Sequence, residues 1–586
     1  MYDILISGGT IIDGSGQPQY AGDIAITGDR IVAVGDEVDG TAKRVIDADG
    51  SIVTPGWVDI HTHYDGQVTW DDELAPSSMN GVTTAVMGNC GVGFAPVVPG
   101  SEQTLIELME GVEDIPGAAL YEGIPWGEWE TFADYLDVLG ARTYALDIGA
   151  QIPHGAVRYY AMGERGRRNE DATSEDIQAQ AKIVEAALGA GALGFTSSRT
   201  IGHRALMGEP VPGTFAADEE VLAFADAMKN AGRGVFELIP ASALGDLGGM
   251  GDGEQSTQFE EFELMRKFSI ASGRPVTFTL LEAIGQPHLW REILAMVAEA
   301  NAAGAQLFPQ VSSRPIGVLT GLSAYHAFMR KPLYLERLAD LSLAERVQAM
   351  RDPEVRQTLM SQESVAPDEP GSMDNLYGLL TDAAPAMVAL TDPVDYEPGI
   401  EDLFGSIAAT TGSEILDVVY DFLLEDGGTR FARLASPDSH GAMSVLNGML
   451  TDPTTVTGLS DAGAHVTMIC DGTMPTTQLT MWTRDCAEDL RIPIEDIVHK
   501  QTLRNASLYG LADRGALAAG MRADINVIDH AALAVSPPVA RHDLPAGGTR
   551  LIQGVTGYVA TVCAGEVTRD RDADTGARPG RLVRST

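Results

Sequence analysis

The sequence predicts an α/β fold: a (β/α)8 TIM-like barrel beside a small β-sandwich built from both chain ends. Three observations carry this. Short apolar strand candidates alternate with helical stretches from about residue 55 onward. The first fifty residues and the last seventy share a texture of short strands and turns. The length, 586 residues, accommodates a barrel of 250 residues or more plus a second domain.

The opening segment reads as strands at Ile4-Leu5-Ile6, Thr10–Asp13, Asp23–Ile26 and Arg30–Val34, the last following the Gly28-Asp29 turn. Barrel strands are expected at Trp57–Ile60, Thr83–Met87, Tyr144–Ile148, Ala192–Thr196, Gly234–Ile239, Val276–Leu281, Ala305–Val311 and Val456–Leu459. Helices fall between them, at Ser174–Leu188, Ala217–Ala231 and His288–Ala303. An open doubly wound sheet is the alternative, but no Gly-x-Gly-x-x-Gly follows a first strand. Residues 318–400 break the rhythm after the seventh strand, with helix-like runs at Pro332–Leu341 and Leu343–Met350; on the catalytic rim of a barrel this is the place for a lid. Residues 515–586 return to strands, at Ala523–Ile528 and Gly557–Ala564. The division is therefore 1–54 with 515–586 as the β domain and 55–514 as the barrel, and the polar tail Arg569–Thr586 is expected to be loosely attached.

Composition narrows the function. Hydrophobic residues make up 44% of the chain, enough for a large core, so disorder is excluded as the main state. The formal net charge of −44 repels phosphate backbones and anionic lipid, which argues against nucleic-acid and membrane partners. Cys90, Cys470, Cys486 and Cys563 are too few and too scattered for a disulfide framework. The N-terminus enters a strand directly and no stretch of 18 apolar residues occurs, so the expected compartment is the cytoplasm.

The strongest local signal is Pro55-Gly56-Trp57-Val58-Asp59-Ile60-His61-Thr62-His63. Alternate side chains on a strand share a face, so His61 and His63 point the same way, and two imidazoles at the C-terminal end of a first barrel strand can chelate a divalent metal. This segment, with Ser7–Gly14, Gly81-Val82-Thr83-Thr84, Gly88-Asn89-Cys90-Gly91, Gly458-Leu459-Ser460-Asp461 and Gly515–Asp524, resembles the amidohydrolase superfamily. Within it, the Asn-Cys-Gly segment after the second strand resembles the N-acyl-D-amino-acid deacylases. The resemblance covers nearly the whole chain and implies a metal-bearing barrel beside a β-sandwich from the chain ends.

Carried over position by position, the resemblance implies metal ligands at His61, His63, Cys90 and Asp461 and one zinc ion per chain. It implies hydrolysis of a C–N bond in a small-molecule amide, with metal-activated water attacking the carbonyl and Asp461 shuttling the proton. A homo-oligomer is a further expectation of the family. The chain also departs from the pattern: the family usually places a histidine at the ends of strands five and six, and here those strands carry none. Glu237 or Glu282 is the candidate replacement ligand, against the plainer reading of each as half of a buried pair with arginine. Strand four has no lysine to bridge two metals. His154, His203, His440 and His465 are candidate pocket groups, and Arg199, Arg204 and Arg314, by rim position, candidate anchors for a substrate carboxylate. A metal-dependent decarboxylase or other lyase on the same barrel, and a binding scaffold that has lost turnover, are the rival readings.

Overall fold

The computed structural model describes residues 1–245, 256–369, 372–434 and 443–585. Eight parallel strands form the barrel in the order of the chain: Trp57–Thr62, Val82–Met87, Asp147–Pro153, Gly194–Ser198, Val235–Ile239, Val276–Thr279, Leu307–Ser312 and Val456–Gly458. The ring closes where Thr62 bridges Ala462 in parallel and His63 N donates to Ala462 O at 2.8 Å. Strand five shows how the alternation works: Phe236 stacks between Phe195 and Phe268 on one face, so Glu237 faces the other way. Helices pack outside; Ser174–Ala190 opens on a Thr173/Asp176 capping box and closes on Gly191 at φ 110°.

Strand three lies further along the chain than its apolar pattern predicts, at Asp147–Pro153. Tyr144 instead bridges Gly580, outside the barrel. Gly149, Ala150 and Gln151 are weak strand formers held by pairing with neighbours on both sides, a tertiary effect that propensity does not carry.

A nine-stranded sheet draws on both chain ends. Val53 in Ile52–Pro55 pairs with Val527 in Ile525–Ile528, which in turn pairs with Tyr558–Cys563. The tail is not loose. Ile148 N donates to Arg581 O at 3.1 Å, Val583 N to Ile148 O at 2.7 Å, and Arg578 and Arg584 meet Asp72 and Asp137 on an acidic surface. The tail thereby satisfies backbone groups at the start of strand three.

The rim insertion is a unit with its own core, where Phe328, Met350, Leu380, Val419 and Tyr420 pack together. Its sheet has Phe431–Leu434 between Leu319–Gly321 and Met387–Ala389, so the unit runs beyond residue 400 to at least Leu434. Among the contacts that seat it on the barrel are Leu319 N to Met468 O at 2.7 Å and Tyr325 Oη to Asp114 Oδ1 at 2.7 Å. Among the described residues no helix is long and apolar enough to cross a membrane.

Candidate metal centre

His61 ends strand one and His63 follows it; both are buried, with ring centroids 5.5 Å apart. Cys90 is brought to them by the turn after strand two. Asn89 Nδ2 donates to Thr62 O and Val86 O, both at 3.0 Å, and Gln151 Nε2 donates to Asn89 Oδ1 at 2.9 Å. Gly88, at φ 85°, has to be glycine: a Cβ there would stand 2.2 Å from Gln151 O. Cys90 itself sits at φ 57°, a conformation that non-glycine residues hold only under constraint.

The chelating atoms of His61, His63 and Cys90 all lie within 4.8 Å of one another. His61 Nε2 is 3.3 Å from Cys90 Sγ and 3.3 Å from Asp461 Oδ1, which is 3.8 Å from His63 Nε2. Ligand atoms on one tetrahedral zinc stand about 3.3–3.6 Å apart given ordinary Zn–N and Zn–S lengths. The donor set therefore fits a divalent ion. Its orphaned atoms agree, because neither ring nitrogen of His63 has a hydrogen-bond partner in a fully buried setting. His61 keeps the orientation this requires, since Nδ1 bonds Gln310 Oε1 at 2.9 Å and leaves Nε2 for the cluster.

Asp461 follows strand eight at φ 48°, between Leu459 at φ 61° and Gly463 at φ 97°, where a Cβ would stand 2.8 Å from His63 O. Its backbone N donates to His61 O at 3.2 Å, and Ser460 Oγ bonds Asp59 Oδ2 at 2.5 Å. Strands one and eight are thus locked where the ring closes. The Asp461 side chain keeps 19% exposure while those of His61 and His63 have almost none, so it is the carboxylate of the cluster that reaches the mouth.

Burial sets the electrostatics. It pushes Asp461 up to about 8, with Asp471 and Asp59 adding to the shift, and pushes Glu237 up to about 8 and Asp65 to about 7. The Cys90 thiol and Glu113 lie well above their ordinary ranges, by burial first and by neighbouring carboxylates second. Burial also brings His61 down to about 4 and His465 to about 3. The ionised form of such a cluster needs a cation set among these groups.

Of the candidate replacement ligands, Glu237 is at the centre, with Oε2 accepting from Cys90 N at 3.1 Å and Oε1 without a partner. No arginine pairs with it among the described residues, so the salt-bridge expectation fails there. Glu282 lies half-buried beyond strand six and is not part of the cluster described above. His203 is half-buried and bonds Ser198 Oγ at 2.9 Å, close enough to His61, His63 and His465 to depress their basicity. His465 faces the cluster through Glu113. His440 lies outside the described residues.

Of the three carboxylate-anchor expectations, Arg204 is half-buried with Nη1 donating to Gly208 O at 2.8 Å, and the other two are committed guanidiniums. Arg199 Nε is 2.9 Å from both oxygens of buried Glu261, and Arg314 pairs with Asp471 at 2.7 Å while lying over the Tyr396 ring at 4.2 Å. Rim position does not reveal such long-range partners. His154, too, is occupied: Nδ1 bonds Ser197 Oγ at 2.9 Å and Nε2 meets Glu220 Oε1 at 3.2 Å, beside Arg158 Nε at 2.9 Å from the same oxygen. Burial alone would raise Glu220, but His154 and Arg158 outweigh it and hold the carboxyl at about 2 against an ordinary 4.5. Because the folded value is the lower one, this group stabilises the fold above about pH 4.5 and loses that contribution as pH falls through about 2. Glu220→Gln leaves Arg158 buried and unpaired, so it is expected to cost about 3–5 kcal/mol at pH 7. The cost should shrink toward pH 2 in urea melts of the two proteins; an equal cost at both pH values contradicts the assignment.

Sequence reasoning missed Glu113. It ends the helix Glu102–Glu113, is 1% exposed, and places Oε1 3.4 Å from His63 Nδ1 and Oε2 3.5 Å from His465 Nε2. No motif surrounds it, and its partners come from the loops that follow strands one and eight.

The amidohydrolase family model matches residues 44–569. The chain belongs to the amidohydrolase family. A D-aminoacylase of Alcaligenes xylosoxydans xylosoxydans is 35% identical over 196 residues, which is 33% of this chain and 37% of that one. The chain thus matches little more than a third of the length of that relative. A solved D-aminoacylase, studied for the functional role of its binuclear metal centre, aligns over 100% of both chains with a TM-score of 0.62 at 23% identity. An N-acyl-D-glutamate deacylase from Bordetella bronchiseptica, complexed with zinc and a phosphonate mimic of the tetrahedral intermediate, aligns equally fully with a TM-score of 0.62 at 20% identity. At these identities the two structures support the barrel and its companion β domain as an amidohydrolase fold.

Proposed function

We propose that this amidohydrolase cleaves the C–N bond of a small amide at the centre formed by His61, His63, Cys90 and Asp461, with the N-acyl-D-amino-acid deacylases as a model. The observation that carries the reading is the convergence of two imidazoles and a thiol, with chelating atoms within 4.8 Å of one another, and of the partly exposed Asp461 carboxylate 3.3 Å from His61 Nε2, at the C-terminal rim of the barrel. A divalent ion held by these residues, zinc by this donor set, would supply Lewis acidity toward a carbonyl oxygen and toward water.

The chain's own groups do the rest. Asp461 lies at the mouth, accepts a proton on its free carboxylate oxygen and returns it to the departing amine. Gln310 and the lock between strands one and eight hold the His61 ring while this happens. Since Arg199 and Arg314 are paired with Glu261 and Asp471, neither anchors a free substrate carboxylate, and their substitution is not the route to altered specificity. The test is release of amine and carboxylate from a panel of N-acyl-D-amino acids, their amides and neutral cyclic amides, with carbon dioxide followed in parallel. Carbon dioxide release without amine makes the chain a lyase instead.

The inserted unit 319–434 covers the rim and excludes water from it. Its two ends are neighbours, with Leu319 paired to Arg433, so a short glycine linker can replace residues 321–431. The shortened protein is expected to fold and to lose at least ten-fold in kcat/KM. Full activity of the shortened protein removes the lid.

A further inference from the structure

We infer that Glu113 is a positioning residue that sets the His63 imidazole in the metal centre and ties it to the loop after strand eight. The inference rests on the metal-centre reading above. Glu113 is buried to 1% exposure, and the basic side chains beside its carboxyl group among the described residues are two histidines and no arginine or lysine: His63 Nδ1 at 3.4 Å and His465 Nε2 at 3.5 Å. Neither carboxylate oxygen has a hydrogen-bond partner, nor has either ring nitrogen of His63 or Nδ1 of His465. A buried carboxylate without donors is costly to a fold and is kept where it does something else. Here it faces the nitrogen of His63 turned away from Asp461. A carboxylate in that position fixes the tautomer and the ring plane of a ligating histidine and raises its basicity.

The backbone around Glu113 is clamped on three sides. His465 N donates to Glu113 O. Asp114, next in the chain and at φ 52°, accepts from Thr467 N at 3.0 Å and Thr467 Oγ1 at 2.9 Å through one oxygen, and from Tyr325 Oη of the inserted unit at 2.7 Å through the other. The residue backing His63 is therefore held by the loop after strand eight and, through its neighbour, by the insertion. A plain core ion pair would bring an arginine or a second donor to the carboxylate, as Arg158 does for Glu220.

The experiment compares wild type with Glu113→Gln, an isosteric change. Zinc affinity is read by chelator competition, the cobalt-substituted protein by its visible spectrum, and the metal-free protein by its melting temperature. Zinc binding should weaken by about 10–100-fold, the usual effect of losing a group that orients a ligating histidine. The cobalt bands should shift. The metal-free variant should melt close to the wild type, because glutamine fills the same space and no hydrogen bond to the carboxyl group is lost. Zinc affinity within two-fold of wild type overturns the proposal. So does a metal-free variant that melts well below wild type or fails to fold, since Glu113 then holds the core. If the wild type itself takes up no zinc, the metal-centre reading is what fails.

Discussion

Asp461→Asn is expected to lower turnover by about 10²–10⁴-fold, the range for losing a general acid–base group, while fold and metal content stay close to wild type. Asparagine is the informative replacement for two reasons. The backbone at Asp461 has φ 48°, and asparagine tolerates the left-handed region far better than alanine, so the strand-eight lock survives. The amide also keeps an oxygen to set beside His61 Nε2, where the carboxylate stands at 3.3 Å, but it cannot take a proton at neutral pH. Turnover and zinc content measured on one preparation separate a lost proton shuttle from a lost ion. If Asp461→Asn turns over near the wild-type rate with zinc bound, another group carries the proton. His203 and His465 are then the ones to replace.

What the chain reveals before folding follows the range of the interactions. The pair His61 and His63 is legible because period-two alternation is local, and so is the barrel, whose buried strands recur at helix-separated intervals. Cys90 is legible through resemblance alone: as a residue it reads as a small buried group in a glycine-flanked turn, and it becomes a ligand candidate because Asn89 and Gly88 fold that turn against strand three. Arg199 and Arg314 mark the opposite limit. Their rim positions follow from the strand pattern, but Glu261 and Asp471 lie far along the chain, and only the folded state shows the guanidiniums already taken. Glu113 combines both difficulties, with no motif around it and partners on distant loops. Strand three and the tail are displaced from expectation for a related reason: the segment around Gly580 pairs with Tyr144 and Ile148, and that pairing sets where strand three begins its barrel register.

Removing the metal with a chelator is expected to abolish turnover, and a single equivalent of zinc per chain to restore it. On the proposed reading four donors hold the ion, which is the complement of one tetrahedral zinc: His61, His63 and Cys90, with chelating atoms within 4.8 Å of one another, and Asp461, 3.3 Å from His61 Nε2. Among the described residues no second group of three or more such donors comes together. Strand four, Gly194–Ser198, offers no lysine, and strand six offers Thr277 and Thr279 on one of its faces. Glu237 of strand five already accepts the Cys90 backbone N–H. His61→Ala should differ in kind from Asp461→Asn, because it removes a ring whose Nε2 contacts both Cys90 and Asp461, so metal occupancy falls first and turnover falls in proportion to it. Elemental analysis during stepwise reconstitution decides between the arrangements. Full activity reached only at two equivalents would place Glu237, through its unpartnered Oε1, among the ligands and end the one-ion arrangement.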